Sequence, residues 1–258
     1  NGEKYFHWEL EFPEVFFGGS NAGFDCVVGN PPYVGVKGNS DTFEGIRKAS
    51  LGKYYSGRGE LFYFFFHLSI DITRYSSYIS FITTNYFLTA SYGNKLREHI
   101  KKSACIKRLI NFNELRVFES ALGQHNLITV LYKSKDDSFL SNNIYIKKNG
   151  FSSYEIFNSL INNNNLDADY FNVKQNDLFE GENFYIRIGG ILNTDNKINK
   201  VLNKISLYNK LGEICNVRQG LITGIDKITL SHINEYKYLG NFGEGVFVVT
   251  KKELDQIN

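Results

Sequence analysis

The chain has 258 residues, a net charge of +2, 42% hydrophobic and 16% aromatic residues. This composition supports a packed core in one large or two small domains and excludes a disordered chain. So balanced a charge gives no global sign of a nucleic-acid partner, and the basic clusters at Lys101, Lys102, Lys107 and Arg108 and at Lys197, Lys200, Lys204 and Lys210 are read as solvated faces.

Phe24 to Val28 reads as a short buried strand ended by Gly29. Thr42 to Ser56 mixes glycine and charge and is expected to be a mobile loop. Glu60 to Tyr75, dense in apolar and aromatic residues, is long enough for a helix. Tyr78 to Ile82 is a second strand. Ser91 is placed to cap a helix running to Lys102 with Leu96 and Ile100 on one face. Ile106 to Phe112 and the β-branched Leu127 to Tyr132 are further strands. Strands alternating with helices predict an α/β fold with a largely parallel sheet, and the missing helix before the last strand predicts that this strand runs antiparallel.

After Lys133 the pattern changes. Asp136 to Asn143 is polar and reads as a linker. Tyr154, Phe157, Leu160 and Ile161 have helical spacing, and Asn162 to Asn165 reads as a surface loop. Ile198, Val201, Leu202 and Ile205 predict another amphipathic helix. From Leu211 onward, recurrent glycines between short apolar pieces predict a β-rich module. The expected organisation is therefore residues 1–135, a connecting region 136–204, and a last module 205–258.

Cys26, Cys105 and Cys215 form no CxxC pair, which fits a reducing, cytoplasmic setting. The five histidines have no metal-ligand spacing, so no metal is expected. The longest apolar run is too short for a membrane span. The chain starts at Asn1 and contains no methionine, so a fragment or processed chain is expected.

The chemistry concentrates at Asn30-Pro31-Pro32-Tyr33, which holds two of the three prolines. Ligands of open α/β sheets bind at the carboxyl edge of the strands, where this segment falls. Each proline fixes its own φ and pushes the preceding residue towards extended backbone. The carbonyls of Asn30 and Pro31 are thereby left as outward acceptors, beside the Asn30 side-chain oxygen. Tyr33 adds a flat surface, and stacking on an aromatic is worth about 1–3 kcal/mol per base. Two acceptors beside a ring suit a planar group bearing NH2, either a nucleobase amine or a carboxamide.

Phe24 to Tyr33 resembles the catalytic motif of amino-group methyltransferases that use S-adenosylmethionine. Gly59 to Phe66 resembles the helix that comes next in that family, and Ile79 to Leu88 its next strand and loop. Val117-Phe118 with Leu127 to Leu131 resembles its late hairpin. Leu211 to Gly224 resembles the opening of a DNA-specificity domain. Together these resemble the DNA adenine methyltransferases of restriction–modification systems, particularly single-chain type IIG enzymes. The resemblance implies the C-terminal half of a Rossmann-like methyltransferase sheet followed by a partial β-rich specificity domain. It implies S-adenosylmethionine as co-substrate and double-stranded DNA as partner, with the target adenine flipped out of the duplex because N6 is paired inside it. Asn30 and the Pro31 carbonyl would hold N6, and Tyr33 would stack on the base. Phe118 aligns with the second stacking aromatic; the plainer alternative is a hairpin core residue. Arg218, Gln219, Thr223 and Lys227 are candidates for DNA contacts, against ordinary surface turn chemistry. Glu60 reads as a charge at a helix start rather than a catalytic group.

One part of the family pattern is missing. Only 29 residues precede Asn30, and they hold no Gly-containing donor loop after a strand. Asn30 would therefore touch only the edge of the donor site, and the expected N-terminal half of the same polypeptide would supply the rest. The first strand is then expected at an open sheet edge. Release-factor glutamine methyltransferases and some RNA methyltransferases share Asn-Pro-Pro-Tyr and remain an alternative, as does a module that only recognises DNA.

Overall fold

The structure is a computed structural model that describes residues 6–19, 21–119, 124–191, 204–205, 207–209 and 211–215. The chain divides into two compact units, residues 1–199 and 200–258. Of the second, the clearest described element is a one-turn helix, Leu211–Ile214. The expected β-rich module and most of the amphipathic helix before it lie outside the described residues.

The first unit opens with two short helices, α1 (Trp8–Glu11) and α2 (Pro13–Phe16), and strand β1 (Phe24–Gly29). Next come α3 (Ser40–Lys48), a 3-10 turn at Ser50–Tyr54, α4 (Leu61–Ile72) and β2 (Thr73–Thr84). Two more 3-10 turns lead to α5 (Asn94–Ser103), β3 (Cys105–Asn111), β4 (Leu115–Arg116) and β5 (Asn126–Tyr132). The unit closes with β6 (Leu140–Ile146), β7 (Gly150–Phe151), α6 (Tyr154–Ile161), β8 (Ala168–Lys174), α7 (Gln175–Leu178), β9 (Phe179–Glu180) and β10 (Tyr185–Ile186).

Six strands form one mixed sheet in the order β1-β2-β5-β3-β6-β8. β1 pairs parallel with β2, β5 runs antiparallel to both β2 and β3, β6 is parallel to β3 and β8 antiparallel to β6. The α/β class and the reversed strand Asn126–Tyr132 thus agree with the sequence expectation, whereas the sheet is mixed rather than largely parallel, since β5 and β8 each run against their neighbours. As expected, β1 stands at an edge of the sheet among the described residues; for that reason it is not the buried strand its apolar run suggests, its residues being half-buried or exposed and Val28 74% exposed.

Helix α4 joins β1 to β2 and carries Phe62, Phe66 and Ile70 into the main core, against Ile79, Phe81 and Phe87. The helix stops at Ile72, earlier than Tyr75, because Thr73 enters β2 at once and bonds back to the Ser69 carbonyl. Gly23 sits just before β1 with φ +124°, and a Cβ there would lie 2.6 Å from the Arg74 backbone nitrogen. Only glycine lets the chain pass the α4–β2 junction so closely.

Two expectations need correction. Thr42 to Ser56 is not a loop but α3 and the 3-10 turn. Phe43, 2% exposed, packs its ring 6.2 Å from that of Phe64, and Tyr54 stacks on His67 at 3.6 Å. These long-range contacts override the local glycines and charges. Nor is Asp136 to Asn143 a linker, since Leu140–Ile146 is a sheet strand. Its polar residues mislead because they bond inside the fold. Asn143 Oδ1 accepts from the Leu109 amide at 3.0 Å and Nδ2 donates to the Ile188 carbonyl at 2.9 Å. Gln175 likewise completes β3, accepting from the Ile106 amide at 2.8 Å and donating to the Ile106 carbonyl at 2.9 Å. Buried amides here stand in for strand backbone.

Helix α6 forms where its periodicity places it, and Asn162 to Asn165 turns away at the surface. Its buried stripe is Ile156, Phe157 and Leu160, whereas Tyr154 and Ile161 flank it, 79% and 62% exposed. Ser91 does not cap α5; it lies in a 3-10 turn and Gly93 takes the cap position. Leu96 and Ile100 are buried on one face of α5 as expected.

The turn ending at Tyr54 stacks on a histidine pair, buried His67 and half-buried His99, whose Nδ1 atoms lie 2.8 Å apart. Burial first, and the neighbouring His99 second, push the His67 imidazole down from 6.5 to about 2. The unfolded chain therefore takes up a proton near pH 6.5 that the folded chain refuses, and stability falls as pH drops from 6.5 towards 2. Tm measured against pH should fall more gently for His67→Phe than for the wild type, whatever the offset between them. Parallel curves would refute this role.

Candidate active site

β1, β2 and β3 finish at one edge of the sheet, at Gly29, Thr84 and Asn111, and β5 starts there at Asn126. An amide network ties these ends. Asn85 Nδ2 donates to Asn111 Oδ1 at 3.2 Å, the Asn85 backbone N–H donates to the His125 carbonyl at 2.9 Å, and His125 Nδ1 lies 2.9 Å from the Asn113 carbonyl.

Asn30-Pro31-Pro32-Tyr33 leaves β1 at this edge. Asn30 and Pro32 are exposed, Pro31 is buried and Tyr33 is half-buried. Among the described residues the Asn30 side chain makes no hydrogen bond within the chain, so its oxygen is open to a ligand. Tyr33 is held firmly. Its hydroxyl donates to the Ile82 carbonyl at 3.1 Å and its ring meets Phe62 edge-on at 6.3 Å. Burial raises the Tyr33 phenol pKa; the Asn126 carboxamide beside it works the other way, and the Glu60 charge adds to the rise. The phenol is thus neutral and positional, offering a fixed ring rather than a base.

Tyr33 lines a cavity of about 770 Å³, within the range of ligand pockets. Gly35 to Lys37 and Gly57 to Glu60 form two of its walls, and Thr84, Tyr86, Tyr92 and Gln124 contribute the rest. Gly59 has φ +144° there, which a residue with a side chain rarely adopts. Asn30 and the prolines do not line this cavity; they sit at the sheet edge next to it. Phe118 is half-buried beyond β4 and does not line it either.

Glu60 stands at the start of α4, where the sequence places it as a helix-start charge. It precedes α4 in extended backbone but makes no side-chain cap to the helix. Its carboxyl faces the cavity, with Thr84 Oγ1 donating to Oε2 at 3.5 Å. Burial raises its pKa, and the Thr84 contact only partly opposes this. The folded chain therefore keeps this proton to higher pH than the unfolded chain. Glu60 withdraws stability as pH rises through 4.5 towards its raised value. Glu60→Gln should raise Tm at pH 8 and leave it unchanged at pH 4; equal shifts at both would refute this.

Sequence reasoning read Glu60 only as a helix-start charge and missed its meeting with Thr84, and the place of Asn126 beside Tyr33, because nothing local marks these contacts. They form only once β2 and β5 are paired. Arg218, Gln219, Thr223 and Lys227 lie outside the described residues. No group of three metal ligands occurs among the described residues, and no described helix is long and apolar enough to cross a membrane.

Asn30 to Tyr33 thus leaves the carboxyl end of a parallel strand with Tyr33 clamped, where the sequence resemblance places its catalytic motif. Residues 1–118 match the Eco57I restriction-modification methylase family. The type II methyltransferase M.HindII of Haemophilus influenzae is 24% identical over 257 residues, covering 90% of this chain and 45% of that protein. The type II restriction enzyme and methyltransferase RM.Eco57I of Escherichia coli is 26% identical over 122 residues, covering 46% of this chain and 12% of that protein. Among solved structures, the type IIG restriction endonuclease BpuSI aligns at 17% identity with a TM-score of 0.44, covering 74% of this chain and 23% of that chain. The chain thus spans less than half the length of these relatives. The methylase match ends at Phe118, so β5, β6 and β8 complete its sheet from outside the matched residues.

Proposed function

We propose that this chain is the target-base half of a site-specific DNA methyltransferase acting on adenine N6 in duplex DNA, within a restriction–modification enzyme. The observation that carries the reading is Asn30, exposed just after β1 with no side-chain hydrogen bond among the described residues, close in sequence to the fixed ring of Tyr33 on a cavity wall. The Asn30 side-chain oxygen and the Pro31 carbonyl accept the two N–H bonds of the amino group. This turns the nitrogen lone pair out of the ring plane without a strong base. Tyr33 stacks on the flipped base, and Phe118 closes from the hairpin side. Arg218, Gln219, Thr223 and Lys227 contact the duplex.

S-adenosylmethionine supplies the electrophilic methyl group. The described residues fit only one margin of its site: Asn30 lies at the open β1 edge, and no strand on the far side carries a glycine loop. The donor-binding half is proposed to pair against β1, and residues 1–258 alone are proposed to be inactive. The test is the full-length enzyme, assayed with labelled donor on duplex DNA, on RNA and on a release factor. Labelled N6-methyladenine from duplex DNA supports the reading. Label on cytosine, on RNA or on a glutamine side chain overturns the substrate assignment.

A further inference from the structure

Glu60 stands at the start of α4, where the fold asks at most for a charge near the helix dipole. The helix it precedes gains no cap from it. Among the described residues no cation pairs with it, and its single hydrogen-bond partner is the Thr84 hydroxyl at 3.5 Å. Its side chain is turned instead into the cavity that Tyr33 walls. A half-buried carboxyl without a cation loses hydration as an anion and is held more readily as the acid. As the acid it gains an O–H donor that a carboxylate lacks. Next to the amino group of adenine stand ring nitrogens that bear no hydrogen and accept one.

We propose that Glu60, as a carboxylic acid, reads the flipped base by donating a hydrogen bond to a ring nitrogen beside the amino group, N1 or N7. This rests on the target-base reading above and adds a positioning residue to it. Asn30 and Pro31 accept from the amine, Tyr33 supports the ring face, and Glu60 supplies the complementary donor. Three contacts of different kinds then fix the base in its plane. Thr84, by donating to Oε2, leaves Oε1 to carry the proton. The other groups with charge or protons on this cavity are Lys37 and Arg58, both exposed at its rim, with Tyr33, Tyr86 and Tyr92 on its walls and Tyr63 behind Glu60.

The test uses the full-length enzyme on duplexes carrying adenine, 1-deazaadenine or 7-deazaadenine at the target position. Glu60→Ala should lower kcat/KM on adenine about ten- to a hundredfold, the usual cost of a lost hydrogen bond in a site built for it. Glu60→Gln, which keeps an N–H donor, should restore most of that loss. The wild-type rate should decline on the alkaline side as Glu60 ionises, and the Glu60→Gln rate should not. One of the two deaza substrates should be poor for the wild type and no poorer, relative to adenine, for Glu60→Ala. Donor affinity, measured in parallel, should be the same in all three proteins. The proposal is overturned if Glu60→Ala matches the wild type, if Glu60→Gln keeps the wild-type alkaline decline, or if the deaza penalty persists in Glu60→Ala. Methylation of adenine by the wild type would leave the target-base reading standing in each case.

Discussion

Asn30→Ala in the full-length enzyme is expected to reduce methylation of duplex DNA by roughly a hundred- to a thousandfold, the effect of deleting one aimed polar group from a reacting centre. Folding should be untouched. The side chain is exposed and makes no bond within the described chain, so the stability change should stay within about 0.5 kcal/mol. Asn30→Asp keeps an acceptor oxygen and should retain measurable activity, which separates an acceptor role from a merely structural one. Single-turnover rates with saturating donor are the measurement. Full activity in Asn30→Ala would refute the role given to the Asn30 side chain, since the proline-held backbone would then suffice without it.

The second large effect is expected at Arg97. It is 0% exposed and has no carboxylate partner among the described residues. Nη1 donates to the carbonyls of Phe87 and Ala90, each at 2.7 Å, and Nε to the Asn183 carbonyl at 2.9 Å. Its guanidinium lies 5.0 Å from the centre of the Tyr185 ring. One side chain thus ties the loop after β2, which brings Tyr86 and Tyr92 to the cavity, to the segment before β10. Gly93 makes room for it, since a Cβ there would lie 2.7 Å from Nη1. Arg97→Ala strands the buried Phe87 carbonyl, takes a donor from the carbonyls of Ala90 and Asn183 and leaves a cavity, at a cost of about 3–5 kcal/mol. Arg97→Lys should recover little, because a single ammonium cannot span three acceptors held by a planar fork. Chemical denaturation would measure both. A cost below about 1 kcal/mol for Arg97→Ala would show that the loop is held by its apolar contacts instead.

Phe24 to Tyr33 was legible because every signal in it is local. A β-branched apolar run makes a strand, glycine ends it, and two prolines stiffen the adjoining backbone regardless of its surroundings. The amphipathic segments at 94–103 and 154–161 were legible for the same reason, as periodicity survives in isolation. Thr42 to Ser56 and Asp136 to Asn143 were not, because their structure is imposed by partners far along the chain. Phe43 and Tyr54 are ordered by α4. Asn143, which looks like loop chemistry, makes its hydrogen bonds inside the sheet.

The sequence by itself determined the proline-stiffened segment Asn30 to Pro32, its aromatic neighbour Tyr33, and the strand that presents them, since steric limits on proline and glycine act within a few residues. The tertiary structure alone decided the surroundings of that corner. It set β5 between β2 and β3, turned Glu60 from its helix into the cavity and buried Arg97 among carbonyls. Each of these depends on burial and on pairing between segments tens of residues apart, and desolvation has no signature in the local order of residues.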